Sequence, residues 1–153
     1  MTVEPADGPR IVGEALAHAA AGDPSGGAEL LIPLIEAGPV STYALAGMLA
    51  EAACYIARRD YPGAFFGLGA DNKRTRQPAS VDDFKPSVVS AARFVAAWAN
   101  RDQDTATALF LTLYDGPEDD FIDALTALFE MAVATAAAVQ AEERRARRGR
   151  DTR

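Results

Sequence analysis

The sequence predicts an all-α protein of about six helices, built as two pseudo-repeated three-helix units packed as one bundle-like domain. Three observations carry that expectation. The 153 residues include 33 alanines, a density that favours helices with closely packed axes. Apolar residues recur at three- and four-residue spacing in six segments, punctuated by Gly, Pro and Asp. The second half also reads as a worn copy of the first, residue n pairing with residue n + 79. Without gaps over residues 10 to 57, that offset aligns Ala17 with Ala96, Ala20 with Ala99, Asp23 with Asp102, Leu30 with Leu109 and Leu34 with Leu113. It continues through Leu49 over Leu128, Glu51 over Glu130, Ala53 over Ala132 and Ala57 over Ala136. Nine identities in 48 positions are roughly twice the chance level for so alanine-rich a chain, and they predict a duplication.

The first unit spans 9–60. Pro9 stands where a helix's first N–H would be unsatisfied, and Ile11, Val12, Ala15, Leu16 and Ala19 follow at helical spacing, so helix one runs from about Pro9 to Ala21. Gly22-Asp23-Pro24 ends it and begins helix two, with Asp23 or Ser25 as N-cap and Ala28, Leu30, Leu31, Leu34 and Ile35 as the buried stripe. Pro33 lies inside that stripe and is expected to kink the helix or end its regular ladder. Gly38-Pro39 closes helix two, and Ser41 is expected to cap helix three, whose inner face carries Leu45, Met48, Leu49, Ala52, Ala53 and Ile56. Arg58 and Arg59 fall where the helix dipole favours positive charge.

Residues 61–81 hold too much Gly and Pro for a helix interior and read as a connector. Its apolar residues Phe65, Phe66 and Leu68 are expected to dock as a wedge between the two copies; the competing expectations are an exposed anchor for a partner and a mobile lid. The second unit spans 82–148, with Ser80 as a cap ahead of it. Val88, Val89, Ala92, Phe94, Val95, Ala96, Trp98 and Ala99 mark helix four, and Ala106, Leu109, Phe110 and Leu113 mark helix five. Helix six starts among Glu118, Asp119 and Asp120, buries Phe121, Ile122, Leu125, Leu128, Phe129, Ala132 and Val133, and runs to about Arg148. Its last turns outlast helix three and have little apolar surface, so they are expected to project into solvent or against another chain.

The net charge of −7 conceals an acidic body and a basic tail, since residues 144 to 153 hold six arginines against one aspartate. An acidic body argues against a broad nucleic-acid surface, which needs Lys and Arg clustered on one face. No uncharged apolar stretch reaches about 18 residues, and Met1-Thr2-Val3-Glu4-Pro5 lacks the features of a secretory signal. Cys54 is the only cysteine, which fits a reducing compartment. A cytoplasmic protein without membrane contact is expected.

No catalytic, cofactor or metal constellation emerges. His18 is the only histidine, so paired-imidazole chemistry is excluded within one chain. Cys54 falls on the inner face of helix three, and Arg58 is its one nearby cation. The acids Asp115, Glu118, Asp119, Asp120 and Asp123 lack calcium-loop spacing and are explained by a helix start. Gly67-Leu68-Gly69 follows no strand and offers little as a nucleotide signal. The residues that stand out are Phe65, Phe66 and Leu68 in the connector, and Arg144, Arg145, Arg147 and Arg148 in the tail 144–153.

The Ala21-Gly22-Asp23-Pro24 corner resembles the corners of tetratricopeptide-type helix pairs, but that family's repeat signature is not met. Spacing of 79 residues with three helices per unit is also unlike it, and no family assignment is drawn. In composition the chain resembles the small alanine- and arginine-rich proteins of high-GC bacterial genomes. The expected function is non-enzymatic: a helical protein-interaction or accessory protein with a protein partner or a second copy. The alternatives are a regulatory factor that binds nucleic acid weakly through the arginine tail, and a helical binder of small molecules with its pocket between the units.

Overall fold

Proline and aspartate set where most of the helices begin. The computed structural model describes residues 4–67 and 80–151, and among these the regular structure is entirely helical. The helices are α1 (Gly8–Ala20), α2 (Pro24–Glu36), α3 (Pro39–Asp60), α4 (Pro86–Ala99), α5 (Gln103–Tyr114) and α6 (Glu118–Asp151), with short 3-10 turns at Pro5–Asp7 and Val81–Asp83. Pro sits in the first turn of α1, α2, α3 and α4, where its missing N–H costs nothing. Asp23 caps α2 by accepting from the Gly26 N–H at 2.9 Å, and Asp102 caps α5 by accepting from the Thr105 N–H at 3.1 Å. Ser80 forms a capping box with Asp83, but over the 3-10 turn that precedes α4.

Two local expectations are corrected. Ser41 is not the cap of α3: Pro39 occupies the first turn, so the helix begins three residues earlier with Gly38 as N-cap at φ 109°. The buried Thr42 hydroxyl then donates to the Gly38 carbonyl at 2.8 Å. Pro33 does not end α2 either, because the chain stays helical to Glu36 and the Ala37 N–H reaches the Pro33 carbonyl at 3.1 Å.

The chain closes into a bundle around α3 and α6, which pack along each other; α4 lies against both, α1 joins α2 to α6, and α5 packs on α4. Small residues set the closest approaches. A Cβ on Gly27 would collide with the Ala15 carbonyl, so α2 lies almost on the backbone of α1. The core joins Val12, Ala15, Leu31 and Leu34 to Leu45, Leu49, Phe94, Phe110, Phe121, Leu128 and Phe129. An aromatic cluster links the halves: Tyr43 of α3 meets Phe94, Trp98 and Phe110 edge-on with centroids at 6.4, 6.3 and 5.1 Å.

α3 and Glu118–Arg150 of α6 are long and apolar enough to cross a membrane by length and composition, with mean hydropathy of 1.3 and 1.6. Glu51 and Glu130 interrupt their apolar runs, so neither helix holds an uncharged stretch of membrane-spanning length. Both are also the helices around which the core is built, which accounts for their hydropathy.

Helix order and corner geometry correspond between the halves. α4, α5 and α6 begin 78, 79 and 79 residues after α1, α2 and α3. Gly22 and Arg101, 79 apart, both have positive φ, at 103° and 58°. Each precedes an aspartate whose N–H bonds five residues back, Asp23 to His18 and Asp102 to Ala97. Packing does not follow suit: α1 lies mainly on α2, whereas α4 leans more on α6 than on α5. The internal duplication is therefore not confirmed by the fold.

Candidate interaction surfaces

The end of α3 shows how the connector leaves the bundle. Tyr61 ends the helix, Gly63 turns the chain at φ 79°, and the backbone of Phe66 is clamped by Asn100, which accepts from its N–H at 2.8 Å and donates to its carbonyl at 2.7 Å. That clamp half-buries Phe66 and leaves Phe65 86% exposed. The expected wedge is thus not formed by Phe65, which stays in the open while Asn100 holds the backbone of the residue after it. Leu68 lies outside the described residues. Arg58, Tyr61, Phe65, Phe66, Asn100 and Arg101 border an open depression of about 460 Å³.

Beneath it lies a polar lock that the sequence reading missed. Glu51 receives Arg58 on both oxygens at 2.8 and 3.0 Å and the Trp98 indole N–H at 2.9 Å, tying α3 to α4. The Trp98 ring lies against Gly47, where a Cβ would collide with it. Seven-residue spacing of Glu51 and Arg58 places both on one face of α3 and was the available signal.

A second depression, about 570 Å³ and mainly apolar, runs between α1, α3 and α6, bordered by Val12, Leu16, Met48, Tyr55, Ala136 and Val139. Cys54 is buried nearby on α3, where its thiol reaches the Glu51 carbonyl at 3.6 Å. Burial first, and the Glu51 carboxylate second, push the Cys54 thiol up. His18 is exposed, with Nδ1 at 3.7 Å from the Asp23 carboxylate. Among the described residues no three His, Cys, Asp or Glu side chains gather as a metal site.

The arginine tail is an ordered part of α6. The helix continues to Asp151, and Glu142 through Arg150 are exposed all round, so about 15 Å of it stands beyond the bundle. Arg59 braces its base, bonding Asp60 at 2.7 Å and Glu142 at 2.8 Å across to α6. At 100° per residue, Arg144 and Arg148 share one face, and Arg145 and Arg147 flank it on either side. The structure does not bring the arginines and the connector aromatics together into one site.

The exposed face of α6 is continuous. Asp119, Asp123, Thr126, Glu130, Ala134, Ala137, Ala141, Arg144 and Arg148 follow at three- and four-residue steps, each exposed or half-exposed. Sequence reasoning noted both charged ends but not the stripe that joins them, since its middle is alanine and looked like core. Comparison with protein-family models, with curated proteins and with solved structures finds no match.

Proposed function

We propose that the chain is a non-enzymatic interaction or accessory protein, acting in the cytoplasm, whose contact surface is the outer face and projecting end of α6. The observation that carries this reading is the exposed length of that face, from Asp119 to Arg144, on a helix whose opposite side is committed to the core. A projecting helix without a contact would spend about a dozen residues of ordering on nothing. Phe65 adds a separate apolar contact on the connector side.

A second reading, binding of nucleic acid, is favoured by Arg144, Arg145, Arg147 and Arg148 gathered on successive turns of one exposed helix end. Capture of partners from native lysate by the tagged chain, with and without nuclease, separates the two. A nuclease-resistant protein partner lost on Arg144→Glu with Arg148→Glu supports the first reading. Recovery that vanishes with nuclease moves the assignment to the second, and capture unchanged by the substitutions removes α6 from both.

A further inference from the structure

The exposed face of α6 has a symmetry that names its occupant. We propose that it pairs with the same face of a second copy, antiparallel, about a two-fold axis between Val133 and Ala134. This rests on the reading of α6 as a contact surface and goes beyond it by specifying the partner and the register.

The argument begins with position. Antiparallel pairing about that axis sets residue i opposite residue 267 − i of the partner, and every stripe position except the central Ala134 exchanges with another stripe position under this rule. Position 119 meets 148, 123 meets 144, 126 meets 141, and 130 meets 137, with 133 and 134 at the centre. All of these positions belong to the stripe already defined by exposure and helical spacing except Val133, which borders it and is half-buried against the core. The steps alternate four and three apart from two fours in a row at 126–130–134, so the stripe is a coiled-coil seam with one stutter at its centre, and it can keep two helices in contact over about 44 Å.

Chemistry agrees with position. Asp119 comes opposite Arg148 and Asp123 opposite Arg144, and the two-fold axis repeats both pairs, giving four opposite-charge contacts at the ends. A parallel arrangement would set acid against acid and arginine against arginine. In the middle, Thr126, Val133, Ala134, Ala137 and Ala141 are small enough for close approach of the axes. Glu130 falls opposite Ala137, where the small neighbour leaves its carboxylate a path to water. Ile122, 42% exposed at the edge of the face, comes beside the aliphatic stem of Arg145.

The helix macrodipole alone does not account for this pattern. Its influence falls off within the first and last turn. It accounts for Glu118, Asp119 and Asp120, and for Arg148 and Arg150. Asp123 lies five residues inside the start and Arg144 seven residues before the end, beyond its reach. These two are the inner pair of the proposed seam.

Sedimentation of the wild-type chain over the micromolar range is expected to show a monomer–dimer equilibrium. Asp119→Arg with Asp123→Arg lowers the net charge from −7 to −3, which alone would favour association. In the seam it sets arginine against arginine at four contacts and is expected to weaken the dimer roughly 100-fold. Arg144→Glu with Arg148→Glu is expected to weaken it similarly. The chain carrying all four substitutions restores opposite charges and is expected to regain wild-type affinity, although it keeps any helix-end penalty of the single-ended variants. Mixing Thr126→Cys and Ala141→Cys chains under oxidation reads the orientation, with the mixed disulfide expected to dominate.

A monomeric wild-type chain, failure of the fourfold variant to recover, or disulfides joining like positions would each overturn the pairing. The wider reading has its own test: a monomer whose lysate partner is lost on Arg144→Glu with Arg148→Glu keeps α6 as a surface for another protein, whereas a monomer with unchanged capture ends both.

Discussion

Replacing Gly47 with alanine sets two effects of known size against each other. Alanine is about 1 kcal/mol better than glycine inside a helix, so propensity alone predicts stabilisation at this position in the middle of α3. The added methyl, however, would lie 2.9 Å from Trp98 Cζ2 and Cζ3 and closer still to Cη2. Overpacking of that kind costs about 1–3 kcal/mol. The ring cannot slide away freely, because its N–H is held by Glu51 at 2.9 Å, and disturbing that bond costs about 1 kcal/mol more. The sum is a net loss of about 1–3 kcal/mol, or a fall in Tm of roughly 2–10 °C for a chain of this size. Gly13 on α1 supplies the control, since a Cβ there meets nothing within 4 Å. Gly13→Ala should therefore show the propensity gain alone, about 1 kcal/mol and a few degrees upward. Urea unfolding followed by the fluorescence of Trp98, the one tryptophan, measures both variants in the region concerned. If Gly47→Ala matched or exceeded the wild type while Gly13→Ala behaved as stated, close packing of Trp98 on α3 would be refuted.

Three further outcomes follow from single contacts. Thr42→Val keeps the shape of a fully buried side chain but removes the hydroxyl that lies within bonding distance of the Gly38 and Ile35 carbonyls; chemical denaturation should register a loss of about 1 kcal/mol, since the Thr42 N–H still serves the Gly38 carbonyl. The Thr105 hydroxyl, at 2.7 Å, and then the Thr105 N–H hold the Asp102 carboxyl below its ordinary range. A carboxyl depressed on folding stabilises above its unfolded value and loses that contribution as pH falls through the lower folded value. NMR titration of Asp102 should give an acid-shifted midpoint that moves back up in Thr105→Val, and an unmoved midpoint would reject the cause. Cys54 is buried with its thiol pushed up, so thiol-reactive reagents at neutral pH should modify the native chain far more slowly than the urea-unfolded chain; equal rates would contradict its placement.

The sequence was most legible where a residue's backbone chemistry decides local structure. Pro24 and Asp23 placed the start of α2, because an N-cap works through its own two or three neighbours; the matching cap of α5 by Asp102 was signalled only by its alignment with Asp23. Ser41 misled for the same reason in reverse: serine is a good cap, but Pro39 is a stronger start signal and claimed the position first. Long-range features were illegible in proportion to their reach. The Glu51–Trp98 bond spans 47 positions and the Arg59–Glu142 pair spans 83, and no local spacing encodes either partner. Phe65 went wrong because burial of an aromatic was inferred from its type, while its position is fixed by the Asn100 clamp on the residue next to it. The helical run through Arg144 to Arg148 was legible, because the pattern of helix six continues to about Arg148 without a breaker, and α6 extends only three residues further.

α6 shows why composition was a poor guide to the contact surface. Its inner face spends alanines at Ala124, Ala127 and Ala132 to bring neighbouring helices close, and its outer face repeats the same residue at Ala134, Ala137, Ala138 and Ala141. Hydropathy treats the two sets alike, and only the burial pattern tells them apart. The separation has an energetic consequence. Truncating an inner residue such as Leu128 removes core and is expected to unfold the bundle by about 2–5 kcal/mol, whereas changing Asp123 or Arg144 touches no core contact and costs only surface-scale energy. Contact and stability can thus be altered independently on one helix. Association can then be probed through its outer face by variants that remain folded.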